Sequence, residues 1–109
     1  MNREKYLQNA RVKNGLARVL IFLASRGEDG AVGHEIAKAA CLSSAGAYLT
    51  ILRDPNGQTA QGRCCVSMLR TLDCPRVQMV EHDDVSGRWR LTKAGDKFTA
   101  TIKPGANWS

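Results

Sequence analysis

The sequence predicts one α+β domain that is mostly helical and carries a single two-stranded β hairpin. Its 109 residues are 43% hydrophobic, which suffices for one compact core. Apolar residues recur at three- and four-residue steps in several segments, as on the buried face of a helix. Two strand-like segments surround a polar turn within residues 77–91. We therefore expect a domain over 14–102, preceded by a basic arm or helix over 1–13 and followed by a tail over 103–109.

The first predicted helix starts near Asn14 and buries a broad apolar stripe. The residues of that stripe are Leu16, Val19, Leu20, Leu23 and Ala24. Gly27 is suited to end the helix, because glycine reaches positive φ without a steric clash. A second helix is expected to start near Val32 or Gly33. Its buried residues would be Ile36, Ala37 and Ala40.

The middle of the chain predicts two further helices separated by a turn. The first lies within 43–53, with Ser43 or Ser44 as its N-cap. The turn consists of Asp54, Pro55, Asn56 and Gly57, residue types that each favour turns. The longer helix is expected over 58–72, and Pro75 limits its continuation. Its apolar stripe consists of Cys65, Met68, Leu69 and Leu72.

The last third of the chain predicts the hairpin and a short helix. The strands lie at 77–82 and 88–91, and the turn lies at 83–87. The second strand alternates polar and apolar side chains, so we expect Trp89 and Leu91 to face the core. Arg88 and Arg90 would then face solvent or a ligand. The last helix is predicted over 93–102, with Thr92 as its N-cap and Ala94, Phe98 and Ile102 on its apolar side.

The chain is basic, and the charge is concentrated near its start. The formal net charge is +6. Residues 1–27 hold six basic side chains and one acid, Glu4, so five of the six net charges lie there. The basic residues are Arg3, Lys5, Arg11, Lys13, Arg18 and Arg26. This balance indicates nucleic acid as a partner, although a solvated helix face has the same composition.

The order of the predicted elements resembles the winged helix-turn-helix family. Residues 34–40 look like the scaffold helix of that family. Residues 66–72 and 77–80 look like the end of a recognition helix and the start of the wing, and 88–95 like the second wing strand and the following helix. The resemblance implies a double-stranded DNA-binding protein, such as a small bacterial, phage or plasmid transcriptional regulator. Many such regulators are dimers on two-fold sites, which leaves a homodimer open.

One segment departs from the compact pattern of the family. Residues 41–57 lie where compact members have only a short turn before the recognition helix. Either 43–53 is an inserted helix and 58–72 is the recognition helix, or 43–53 is the recognition helix and 58–72 is added. The first interpretation is favoured, because 58–72 leads directly into the hairpin and is the more amphipathic segment.

The resemblance implies eight candidate DNA-binding residues. They are Gln58, Thr59, Gln61, Arg63, Ser67 and Arg70 on the helix, and Arg88 and Arg90 on the hairpin. The first turns of a recognition helix contact bases in the major groove, where glutamine pairs with adenine and arginine with guanine. Ser67 and Arg70 lie further along and would contact phosphate, and arginines on a wing can enter the minor groove. Asp83 and Asp84 in the predicted turn oppose a contact at the hairpin tip, because they repel phosphate.

Catalytic residues, cofactors and metals are not expected. His34 has Glu35 beside it, but adjacent residues of a helix do not face each other. The sharpest alternative is a zinc site with four ligands within 19 residues, at Cys64, Cys65, Cys74 and His82. Cys64 and Cys65 would point about a hundred degrees apart on a helix, which argues against that site.

The main alternative function is a non-enzymatic protein-interaction module, such as an inhibitor or adaptor, because a fold does not determine a function. Binding to single strands is disfavoured, since the chain has few aromatic residues on which bases could stack. The longest apolar run, 19–24, is too short to span a membrane. No apolar signal segment follows Arg3 and Lys5, so we expect a cytoplasmic protein without a membrane partner.

Overall fold

The computed structural model describes residues 3–66 and 76–102. Within them the chain is α+β and mostly helical, with one two-stranded antiparallel sheet, as the sequence predicts. The helices are α1 (Arg3–Arg26), α2 (Gly33–Ala39), α3 (Gly46–Arg53), α4 (Ala60–Val66) and α5 (Lys93–Thr99), and the strands are β1 (Val80–Asp83) and β2 (Arg88–Leu91). None of the helices in the described ranges is long and apolar enough to cross a membrane.

Helix α1 forms the centre of the core. Its fully buried side chains are Leu16, Val19, Leu20 and Leu23, which confirms the predicted stripe except for Ala24, which is exposed. The backbone of residues 3–13 continues α1 without a break. Gly27 has φ +61°, the conformation expected of the residue that ends a helix. A 3₁₀ turn, Gly27–Asp29, follows it.

Helices α2 and α3 both pack against α1. Helix α2 begins at Gly33 as predicted, and the Glu35 carboxylate accepts a hydrogen bond from the Val32 N–H at 3.2 Å. The serine N-cap predicted for α3 is wrong, because Ala45 occupies that position. Ser44 instead accepts a hydrogen bond from the Gly46 N–H at 3.3 Å, one residue further out than a cap.

The hairpin begins at Val80, later than the predicted position 77, and Ala31 pairs with its second strand. Met79 donates its N–H to the Leu52 carbonyl at 2.9 Å, so the chain before β1 follows the end of α3 rather than a strand. Across the sheet, His82 pairs with Trp89. Ala31 exchanges two backbone hydrogen bonds with Trp89, at 3.0 and 2.8 Å, and so adds a single strand residue to the free edge of β2.

Helix α5 closes the fold against α1 and β2. Thr92 is its N-cap as predicted and accepts a hydrogen bond from the Gly95 N–H at 3.1 Å. The predicted placement of Ala94 on the apolar side is wrong, because Ala94 is exposed and Gly95 and Thr99 are buried instead. The reason is a close approach of two backbones: a Cβ at Gly95 would lie 2.8 Å from the Met79 carbonyl carbon. Phe98 and Ile102 pack against the core.

Candidate nucleic-acid interface

The turn between α3 and α4 is organised by the carboxylate of Asp54. One oxygen accepts the Gln58 N–H at 2.9 Å, and the other accepts the N–H and the hydroxyl of Thr59 at 2.8 and 2.7 Å. These bonds, that of the Thr59 N–H first, hold the pKa of Asp54 below its ordinary value of 3.8. Asp54 is only 8% exposed, so its carboxylate charge lies largely buried beside the first residues of α4. The predicted turn is confirmed by the hydrogen bond from the Gly57 N–H to the Asp54 carbonyl at 3.2 Å.

Thr59 is the N-cap of helix α4, and the backbone of α4 lies close to the Asp54 side chain at Gly62. The Thr59 hydroxyl accepts the Gly62 N–H at 2.9 Å, so it satisfies one of the unpaired donors of the first turn. A Cβ at Gly62 would lie 2.6 Å from the Asp54 Cγ atom. Glycine therefore allows α4 to lie directly against the capping carboxylate, and α4 packs on α3.

Three long polar side chains of this unit are exposed, and we call them the α4 flank: Gln58, Gln61 and Arg63. The Arg63 guanidinium donates to the Gln58 carbonyl at 3.2 Å, a bond at the surface. Thr59 is also exposed, but its hydroxyl is engaged in capping. Two further candidates, Ser67 and Arg70, lie outside the described residues.

Helix α3 offers much less to a partner. Its buried residues are Leu49, Ile51 and Leu52. Its exposed positions include Gly46 and Ala47, which carry no functional group. The Thr50 hydroxyl donates back to the Gly46 carbonyl at 2.8 Å. Tyr48, Thr50 and Arg53 are half-buried, so the fully exposed polar side chains of this part of the chain lie at and before α4.

The two hairpin arginines have partners within the chain. Arg90 forms an ion pair with Asp83 at 3.3 Å, and Arg88 donates to the Asp29 carbonyl at 3.3 Å. The pKa of Asp83 is lowered, first by the Val85 N–H and then by the Ser86 hydroxyl. The pairing places both arginines on the face opposite the ring of Trp89, as predicted, but both are half-buried rather than open to solvent.

The indole of Trp89 connects the hairpin to α3. The guanidinium carbon of Arg53 lies 5.5 Å from the centre of its ring, and the His82 ring lies 4.5 Å away. The Nδ1 atom of His82 is 3.0 Å from the Asp84 carboxylate. These contacts hold the hairpin beside the unit that carries the α4 flank.

The zinc hypothesis gains no support from this geometry. Cys74 lies outside the described residues, and His82 faces Trp89 and Asp84. Among the side chains that the structure describes, no group of three or more His, Cys, Asp or Glu is placed to hold a metal ion.

Sequence reasoning named the three residues of the α4 flank as candidates and predicted the turn before them, but it missed Asp54 as the residue that organises that turn and the start of α4. The available signal was an aspartate four and five residues before Gln58 and Thr59, where a turn returns the chain to the same carboxylate. No protein-family model, curated protein or solved structure matches this chain. What the interface binds must therefore be inferred from its own residues.

Proposed function

We propose that the chain is a double-stranded DNA-binding protein, a small transcriptional regulator, built on a winged helix-turn-helix fold. In this proposal α2 is the scaffold helix, α3 is an inserted helix, α4 is the recognition helix and the β1–β2 hairpin is the wing. The order of helices and strands supports it, as does the added strand residue Ala31 beside β2. The net charge of +6 favours a polyanionic partner.

The observation that carries the proposal is that the side chains of the α4 flank are exposed and that hydrogen bonds to Asp54 fix the start of α4. An α-helix fits the major groove, where glutamine can bond both N6 and N7 of adenine and arginine can bond both O6 and N7 of guanine. Gln61 and Arg63 lie in the first turns of α4 and are exposed. The Asp54 hydrogen bonds and the contact at Gly62 hold that turn in place before any partner arrives, so little ordering is left for binding.

The test is fluorescence anisotropy with labelled duplex DNA over a range of salt concentrations. Contacts to phosphate predict that affinity falls as salt is added, with a slope of about −0.9 per contact on logarithmic axes. An Arg63→Ala variant should lose about 1–3 kcal/mol if Arg63 pairs with guanine. The matched control is Lys97→Ala, which removes the same charge from an exposed position on α5 and should change affinity little.

A selection from random duplex DNA then separates base reading from charge. Pools selected with the unmodified chain should show a guanine preference at one position that pools selected with Arg63→Ala lack. Equal loss of affinity in Arg63→Ala and Lys97→Ala would assign binding to overall charge and remove α4 from the proposal.

A second candidate is a protein-interaction module on the same fold, and the hairpin favours it. Asp83 already neutralises Arg90 across the sheet. The turn exposes Asp84 and Val85, the latter 97% exposed, so the tip is acidic and apolar. Phosphate would be repelled there, whereas a protein surface would not. Absence of any salt-dependent duplex binding would select this function.

A further inference from the structure

A cavity of about 540 Å³ opens between α2 and the start of α3. Both helices pack against α1, and residues of both line the cavity. A volume of this size lies within the range of about 300–1,000 Å³ typical of small-molecule sites. Nothing in the proposed DNA contacts uses this space.

The floor of the cavity is apolar and includes an aromatic ring. Leu42 contributes aliphatic surface and Trp89 of β2 contributes its indole, while Ala37 on α2 and Leu49 on α3 line the cavity as buried residues. Leu42 and Trp89 are half-buried and pack against the core, so their outer surfaces remain available. A flat apolar group would find aliphatic contact with Leu42 and contact with the part of the indole that lines the cavity.

The rim of the cavity is cationic and hydroxylic. Lys38 and His34 are the titratable side chains among the described lining residues, and no carboxylate lies there. Lys38 is exposed, and its ammonium makes no hydrogen bond or ion pair within the part of the chain that the structure describes. Ser43 and Ser44 add hydroxyl groups beside it.

We propose that this cavity binds a small aromatic carboxylate, with its ring against Trp89 and Leu42 and its carboxylate on the Lys38 ammonium. The charge of the rim selects an anion over a cation, and the apolar floor selects a ring over an inorganic ion. An ammonium and a carboxylate in contact form a charge-assisted hydrogen bond, which is stronger than a neutral one.

Helix α3 connects the cavity to the proposed DNA interface. A coupling between ligand binding and duplex binding follows from this connection, and it rests on the proposed function. The start of α3 forms one wall of the cavity, and its last residue, Arg53, lies over the ring of Trp89. The next residue, Asp54, holds the first turn of α4. A ligand that moves α3 or Trp89 would therefore shift the α4 flank and change duplex affinity.

The first test is calorimetric titration of the full chain, without DNA, with 1-naphthoate and with 1-naphthylmethylammonium. The unmodified chain should bind naphthoate saturably and about tenfold more tightly than the ammonium probe, since the two charges interact oppositely with Lys38. Lys38→Glu should reverse that order. Lys97→Glu, which makes the same charge change on α5, should keep it.

Absence of saturable naphthoate binding would overturn the proposal, as would equal effects of Lys38→Glu and Lys97→Glu. The position of the probe is checked by the Trp89 indole N–H resonance, assigned with a Trp108→Phe variant, which should shift on titration. A shift confined to other resonances would also overturn it.

The second test measures duplex affinity with and without naphthoate, and a change in affinity is expected. Naphthoate binding without any change in duplex affinity would refute the coupling between the two sites, but the ligand site itself would stand. If the chain binds no DNA at all, the proposed function fails while the calorimetric result still decides the ligand site.

Discussion

Replacing Gly62 with alanine should destabilise the protein, although alanine is ordinarily the better helix residue. In an open helix interior the exchange favours alanine by about 1 kcal/mol. At this position the added methyl would lie 2.6 Å from the Asp54 Cγ atom and 3.0 Å from its Cβ atom. Real methyl groups do not approach other atoms this closely, so either α4 or Asp54 must move.

Both ways of relieving the contact are unfavourable. If α4 moves outward, it loses its packing on α3. If Asp54 rotates, the hydrogen bonds that it accepts from Gln58 and Thr59 are lost. Overpacking of this kind costs about 1–3 kcal/mol, which exceeds the gain in helix propensity over most of that range. The net loss is therefore about 0–2 kcal/mol, which corresponds to a fall in Tm of up to about 16 °C.

The assay is urea unfolding followed by circular dichroism, with Gly33→Ala as the matched control. Gly33 is the first residue of α2, and no heavy atom lies within 4 Å of a Cβ placed there. Its exchange should be neutral or stabilise by about 0.4–1 kcal/mol. If Gly62→Ala proves as stable as Gly33→Ala, the contact between α4 and Asp54 is not as close as described and the reasoning fails.

Three further predictions concern Asp54, Trp89 and Arg90. Hydrogen bonds lower the pKa of Asp54, so its contribution to stability is present above pH 3.8 and is lost as the pH falls below that value. The unfolding free energy of the Asp54→Asn variant should therefore depend less on pH in the acid range than that of the unmodified chain. The same pH profile in both proteins would contradict this. Arg53→Ala removes the cation from the ring of Trp89 and should cost about 0.5–1 kcal/mol in urea unfolding, with no loss counting against that contact. Asp83→Asn releases Arg90 and removes an acid, so duplex affinity should rise and become more salt-dependent; unaltered affinity would mean that the hairpin does not approach DNA.

Local sequence signals predicted much of the fold because the physics behind them is local. The start of α2, the Asp54–Gly57 turn, strand β2 and the Thr92 cap are confirmed by the structure. Each depends on a residue type acting on its immediate chain neighbours, such as a hydroxyl that accepts an N–H three residues on.

Two of the errors arise where one part of the chain meets another. Ala94 was assigned to the apolar face by spacing, but the backbone of Met79 approaches Gly95 and sets the rotation of α5. The ion pair of Arg90 with Asp83 likewise depends on the strand register, which the sequence did not reveal. The DNA contacts of the α4 flank stay a prediction, since spacing and exposure do not identify a partner.

The most direct measurement of the central claim is photo-crosslinking from α4 and α3 in parallel. Benzoylphenylalanine would be introduced at Gln61 in one chain and at Ala47 in another, both exposed positions. Each chain would then be irradiated with duplex DNA. We expect a covalent adduct from position 61 and none from position 47. An adduct from position 47 alone, or from neither position, would contradict the assignment of α4 as the helix that reads DNA.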